Sequence, residues 1–242
     1  MTTDTRFPEL EQQFIVAGCD RLIAVHWALD IETVDSQSHN DMKFYTGNTA
    51  RRQEFIVGRI LAQRGLVNLK QLPTPIACGI DREPLWPEGV MGSMTHTGKF
   101  AAAVVWLPKT GQHPAGIGID AEQCGRRNPA IWPTVFTTPE IEYLNQQSPL
   151  VRDQMATCLF SAKEAVYKAQ FPLTRRFIEF EEITLRIPAP TTVDCRTDWL
   201  RIEHDIKELD PFHFSVFYYY LGTIVVTGAV ALAKSNSLQN GS

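Results

Sequence analysis

The pattern of apolar and polar residues divides the chain into short stretches that switch between helical and extended periods. In "NTARRQEFIVGRILAQRG", Phe55, Ile60 and Leu61 fall near one face of a helix running from about Thr49 to Arg64. Asn48 or Thr49 can cap its start, and Gly65 suits its end. A second helix is predicted from about Met155 to Ala169 in "MATCLFSAKEAVYKA", ending before Phe171-Pro172 because proline interrupts the helical ladder. A third starts near Pro139 in "TPEIEYLN". The runs "FAAAVVWL" and "GIGIDAE" read as strands separated by the turn-rich segment Pro108 to Gly116. Downstream, "FEEITLRI", "HFSVFYYY" and "GTIVVTGAVALA" read as strands of an antiparallel sheet. Helices and strands mix without regular βαβ alternation, which predicts an α+β fold. The Pro108–Gly116 turn splits the chain nearly in half, suggesting subdomains 1–112 and 113–234 with a frayed tail, Ser235 to Ser242.

Composition narrows the class. With 44% hydrophobic and 21% charged residues, the 242-residue chain is neither disordered nor fibrous. A net charge of −4 argues against a general nucleic-acid or anionic-membrane binder. Cys19, Cys78, Cys124, Cys158 and Cys195 are scattered, odd in number and form no CxxC pair, which fits reduced thiols better than a disulfide framework or a zinc site. The N-terminus lacks the basic-then-apolar profile of a signal peptide, and no apolar run approaches the ~18 residues of a membrane span. A cytoplasmic protein is expected.

Candidate chemistry lies in four places. In Gly116-Ile117-Gly118-Ile119-Asp120-Ala121-Glu122, strand alternation sends Ile117, Ile119 and Ala121 to one face and Gly118, Asp120 and Glu122 to the other. Two carboxylates on one face repel unless a cation lies between them, and such oxygen ligands suit Mg²⁺. The plain alternative is a strand end running into a solvated acidic turn. In Phe160-Ser161-Ala162-Lys163-Glu164-Ala165-Val166-Tyr167-Lys168, Glu164 and Lys168 are helical neighbours four apart. That pair is either a surface ion pair worth ~0.3–0.5 kcal/mol, or a third metal carboxylate with Lys163 and Lys168 reaching phosphate oxygens. In Gly92-Ser93-Met94-Thr95-His96-Thr97-Gly98, a histidine among small hydroxyls can bind an anion, act as a base or satisfy a turn. The segment is not the G-x-S-x-G elbow of a serine hydrolase. Finally, Arg52 and Arg59 project from nearly the same helix face with Arg51 to one side, and guanidinium forks suit a phosphate monoester. Together these features call for a ligand with several phosphates and a divalent cation.

The ordered series "RRQEFIVGR", "EPLWPEGVMGSMTH", "GIGIDAE" and "FSAKEAVYKAQFPLTRRFIEFEE" closely resembles the 4′-phosphopantetheinyl transferase superfamily, in its larger type that activates enterobactin and surfactin synthases. The likeness runs over residues 50–185 and is strongest in the last two motifs, a DxE followed by (F/W)xxKExxxK. It implies two similar subdomains with pseudo-twofold symmetry and coenzyme A in the cleft between them, acting as a monomer. It further implies transfer of the 4′-phosphopantetheine arm of coenzyme A to a serine of an acyl, peptidyl or aryl carrier protein, with release of adenosine 3′,5′-bisphosphate. By the same resemblance, Asp120, Glu122 and Glu164 are the ligands of Mg²⁺, with Mn²⁺ as the alternative ion. Thr95 and His96 match the pair at the 3′-phosphate and adenosine end, joined there by Arg51 and Arg59. Lys163 and Lys168 match lysines near the pyrophosphate, and Glu164 is the candidate base for the carrier serine. Cys78 stands where relatives often place a phosphate-binding lysine, so either Arg82 substitutes or the 3′-phosphate rests on Arg51, Arg59 and His96. Two rivals remain. A D…ExK nuclease would need a lysine where Cys124 stands, and a decayed carrier-binding homologue should have lost at least one of these carboxylates or lysines.

Overall fold

Period-two alternation along the strands builds two sheets whose facing sides share one apolar core. The structure, a computed structural model, describes residues 6–20, 22–34, 49–109, 115–125, 129–187 and 197–234. The first sheet is antiparallel with order β1 (Ile23–Ala28), β5 (Phe100–Trp106), β4 (Met91–Thr97). The second, also antiparallel, runs β6 (Ala115–Gln123), β10 (Ile224–Ala233), β9 (Phe212–Leu221), β8 (Thr197–His204), β7 (Ile183–Arg186).

Neighbouring residues on each strand serve different layers. In β5, Phe100, Ala102, Val104 and Trp106 enter the shared core, while Ala101, Ala103 and Val105 pack under the helix α2 (Thr49–Asn68). In β6, Ile117, Ile119 and Ala121 enter the shared core, while Gly116 and Gly118 face the helix α4 (Pro149–Thr174). A helix α1 (Pro8–Val16) adds Leu10 and Phe14 to the same core, the latter edge-on to Phe217 at 4.9 Å. The result is helix, sheet, sheet, helix, an α+β architecture in which each sheet carries one long helix on its outer side. A short helix α3 (Thr138–Asn145) and a small hairpin, β2 (Ala77–Cys78) with β3 (Pro84–Leu85), complete the described elements that frame the site.

Two contacts shape the site, one between α4 and β6 and one between β4 and β6. A Cβ on Gly116 would lie 2.0 Å from the Ala169 carbonyl oxygen, and one on Gly118 would lie 1.9 Å from that of Ala165. Only glycine permits α4 to rest on β6 this closely. On the outer edge of β6, the amides of Ile119 and Ala121 donate to the hydroxyls of Ser93 (3.1 Å) and Thr95 (2.9 Å) on β4. Those bonds satisfy edge groups that a strand alone would leave open.

Several boundaries differ from expectation. The first predicted helix continues past Gly65 to Asn68, because Gly65 is a close-approach residue whose Cβ would lie 2.7 Å from Val105. The second begins at Pro149 and runs through Pro172 to Thr174, closed by Arg175 in the left-handed region with its amide on the Phe171 carbonyl. Proline's fixed φ is helical, so in a last turn it is tolerated when packing favours continuation. Asn48, Cys195, the 112/113 boundary and the 235–242 tail lie outside the described residues. The other four cysteines are free thiols. No described helix is long and apolar enough to cross a membrane.

Candidate active site

Asp120 is the centre. It is 6% exposed, on the face of β6 that meets α4. Oδ1 accepts from Lys168 Nζ at 2.7 Å and from the Thr95 hydroxyl at 3.2 Å, and Oδ2 accepts from the Ser161 hydroxyl at 2.7 Å. Lys168 also donates to the Ile119 carbonyl at 3.2 Å. Ser161, Glu164 and Lys168 fall on one stripe of α4, spaced three and four apart, so Glu164 sits between the two residues that grip Asp120. Glu122 follows two positions on, on the same face of β6, and both glutamates are half-buried.

His96, at the end of β4, borders this centre. Its Nδ1 is 3.4 Å from Glu54 Oε2 on α2, and its side chain is 47% exposed. Burial holds its pKa below the ordinary value, opposed by Glu54 and Asp120 and reinforced by Lys168 and Arg51. Those couplings place Arg51, which is exposed, in the same electrostatic neighbourhood as Lys168 and Asp120.

Other predicted contributors are placed differently. Lys163 is a correction: at 2% exposure, its ammonium is 2.7 Å from Glu140 Oε2 and donates to the carbonyls of Val135 (3.0 Å) and Phe180 (2.7 Å). All three ammonium hydrogens are engaged inside the protein, so Lys163 does not reach a phosphate. Burial holds its pKa below the ordinary lysine value against the opposing pull of Glu140. Arg59 is a second correction. It is 5% exposed, donates to the Ile76 carbonyl at 2.8 Å and to Cys78 Sγ at 3.1 Å, and stacks on Phe55. It therefore anchors the start of the β2–β3 hairpin rather than a ligand. Arg52 is half-buried on α2, and Arg82 is exposed at the hairpin turn with φ of 65°. Thr95 spends its hydroxyl on Asp120 and the Ala121 amide. The expected metal triad is not gathered either: among the described residues no three Asp, Glu, His or Cys side chains lie close enough to hold a metal ion. Asp120 is held instead by Lys168 and the hydroxyls around it.

Three groups escaped sequence reasoning. Ser161 stood inside the quoted motif but drew no role. Thr227 is a lone hydroxyl in the apolar run of β10, paired in register with Asp120 and bonded to Ser161 at 2.9 Å. Glu140, given no role within "TPEIEYLN", accepts from the amides of Thr137 (2.8 Å) and Leu185 (2.7 Å) as well as pairing with Lys163. Only the polar interruption at Thr227 was visible in the sequence, and its register was not.

The seam continues into a cavity of about 500 Å³ at the junction of the halves. Trp86, Met91 and Gly92 line it from one side, and Ala115, Gly116 and Leu173 from the other. Its lining reaches along β6 to Ile117, three residues from Asp120 and about 10 Å away at strand spacing.

Against this geometry, two family models match the chain. The 4′-phosphopantetheinyl transferase N-terminal domain covers residues 46–106, and the 4′-phosphopantetheinyl transferase superfamily model covers residues 116–217. The chain belongs to the 4′-phosphopantetheinyl transferase superfamily. It is 40% identical over 172 residues to the 4′-phosphopantetheinyl transferase Npt of Nocardia iowensis, an alignment spanning 71% of this chain and 73% of that protein. It is 35% identical over 144 residues to the 4′-phosphopantetheinyl transferase PptT of Mycobacterium tuberculosis, spanning 59% and 61%. Enterobactin synthase component D of Salmonella typhi matches at 33% over 135 residues, spanning 54% and 53%.

Proposed function

We propose that this chain transfers the 4′-phosphopantetheine group of coenzyme A to a serine of an acyl, peptidyl or aryl carrier protein. The observation that carries the proposal is the seam between β6 and α4, where Asp120, Lys168, Ser161 and Thr95 interlock beside His96 and Arg51. Coenzyme A would lie where that seam meets β4 and α2, with the 500 Å³ cavity at its far end. One chain supplies both walls, so the working unit is taken as a monomer.

The residues present fit a divalent ion in one specific respect. A carboxylate offers about four lone-pair sites. Thr95, Lys168 and Ser161 use three of those on Asp120, which leaves one on Oδ2 for a single metal bond. With Glu122 and Glu164 turned inward from their half-buried positions, the three carboxylates of Asp120, Glu122 and Glu164 would hold Mg²⁺ or Mn²⁺, hard ions that take carboxylate oxygen. When bound, such an ion polarises a diphosphate and neutralises its charge.

The chain's own groups then do the rest. Lys168, 28% exposed at its side chain, is placed to shift from Asp120 to the diphosphate and balance charge on the departing nucleotide phosphate. His96 and Arg51 would face the 3′-phosphate. Glu164 takes the proton of the carrier serine as its oxygen bonds to the β-phosphorus and the bond to the nucleotide phosphate breaks, giving adenosine 3′,5′-bisphosphate. Alignment of the two reactants adds to this charge neutralisation in lowering the barrier.

The test is incubation of the chain with coenzyme A, Mg²⁺ and a panel of apo-carriers, read by intact-protein mass. A gain of one phosphopantetheine group that is lost with a chelator, and lost in Asp120→Ala and Glu164→Ala variants of unchanged far-UV circular dichroism, is the expected result. Wild-type turnover in either variant contradicts the proposed site.

A further inference from the structure

The Asp120 carboxylate is held from three elements at once, and one of its supports lies beyond its own contacts. Ser161 and Thr227 are both fully buried. Thr227 stands directly opposite Asp120 in the β6–β10 register, so both side chains leave the same face of the sheet, with Ser161 above them on α4. An ionised carboxylate only accepts, so the single Ser161 hydrogen goes to Asp120 Oδ2 at 2.7 Å. Ser161 Oγ must then accept from Thr227 at 2.9 Å, which fixes the direction of the chain: Thr227 to Ser161 to Asp120.

Packing does not call for a hydroxyl at position 227. Its strand neighbours Val225, Val226, Ala229 and Val230 are apolar and buried, and a valine would match threonine in shape. A buried hydroxyl costs free energy unless bonded, and the partner of this one leads to the carboxylate at the centre of the seam. Hydrogen bonds in series also polarise one another, strengthening the grip on Oδ2.

We infer that Thr227 is a positioning residue, which acts through Ser161 to fix the rotamer of Asp120 and aim its remaining Oδ2 lone pair at a divalent ion. This inference rests on the functional proposal above. Outer partners of metal-holding carboxylates commonly alter metal affinity about 10–100-fold when removed.

The experiment uses the full chain and three variants: Thr227→Val, Thr227→Ser and Ser161→Ala. Mn²⁺ affinity is measured by electron paramagnetic resonance in the presence of coenzyme A, alongside kcat and KM for carrier modification. Thr227→Val is expected to weaken Mn²⁺ binding about tenfold or more and lower kcat with carrier KM unchanged. Thr227→Ser recovers most of both losses, and Ser161→Ala reproduces them should the valine variant fail to fold. Mn²⁺ affinity in Thr227→Val or Ser161→Ala equal to wild type overturns the inference alone. A wild type that binds no divalent ion overturns the functional proposal as well.

Discussion

Lys163 and Lys168 stand in one short motif, yet they do opposite work. Lys163 is sealed against Glu140, whose side chain is 1% exposed, whereas Lys168 keeps its end at the seam. Removing one partner of a buried pair strands the other charge, so Lys163→Met is expected to cost about 3–5 kcal/mol in denaturant unfolding. The double variant Lys163→Met/Glu140→Gln should recover part of that loss; equal destabilisation of both would contradict the pairing. The motif itself was legible, but the fate of Lys163 was not. It depends on Glu140 arriving from α3, and no local pattern announces that contact. A second residue-scale expectation concerns His96, whose pKa is held below the ordinary value chiefly by loss of solvation. A bound phosphate would raise its pKa, so binding takes up a proton. Coenzyme A affinity should therefore rise as pH falls through the pKa of the complex and level off below that of the free protein. Calorimetry in buffers of different ionisation enthalpy measures the uptake, and His96→Gln should abolish that part of it. An unchanged proton count in the variant would exclude the role.

Among elements, the decisive pair is α4 on β6. Gly116 and Gly118 let a helix backbone touch a strand, and this contact brings Ser161, Glu164 and Lys168 over Asp120. Gly118→Ala places a methyl group against the Ala165 carbonyl, and backbone cannot yield as a flexible side chain does. Overpacking of this kind typically costs 1–3 kcal/mol, so a lower denaturant midpoint and a large loss of carrier modification are expected. A variant with wild-type midpoint and activity would show that the close approach is dispensable. Sequence pattern found β5, β6, β9 and β10 because each carries a long apolar run. It passed over β4, whose "MGSMTHT" is small and polar, because Ser93 and Thr95 serve the edge of β6 rather than a core. It also stopped α4 near Ala169, before Phe171-Pro172, since a proline rule weighs local geometry without the tertiary packing that extends the helix.

Across the whole molecule, the Pro108–Gly116 segment suggests a division in the sequence but not how the two sheets are joined. Phe100, Val104 and Trp106 from one sheet and Ile117, Ile119 and Phe217 from the other form one buried cluster. Periodicity shows which residues are buried, not which partner buries them, so this common core was beyond the sequence. Neither half keeps its inner face covered alone. Unfolding should be a single cooperative transition, with tryptophan fluorescence and far-UV circular dichroism giving one midpoint. Two separated transitions would mean that the halves are energetically independent.

The central claim is that acidic groups from β6 and α4 meet at one divalent ion on the diphosphate of coenzyme A. Pulsed electron paramagnetic resonance of Mn²⁺ bound with coenzyme A tests it most directly. Phosphorus hyperfine coupling in the wild type, with Mn²⁺ affinity sharply reduced in Asp120→Asn and in Glu164→Gln, is the result this account predicts. Absence of phosphorus coupling, or wild-type affinity in either variant, would contradict it.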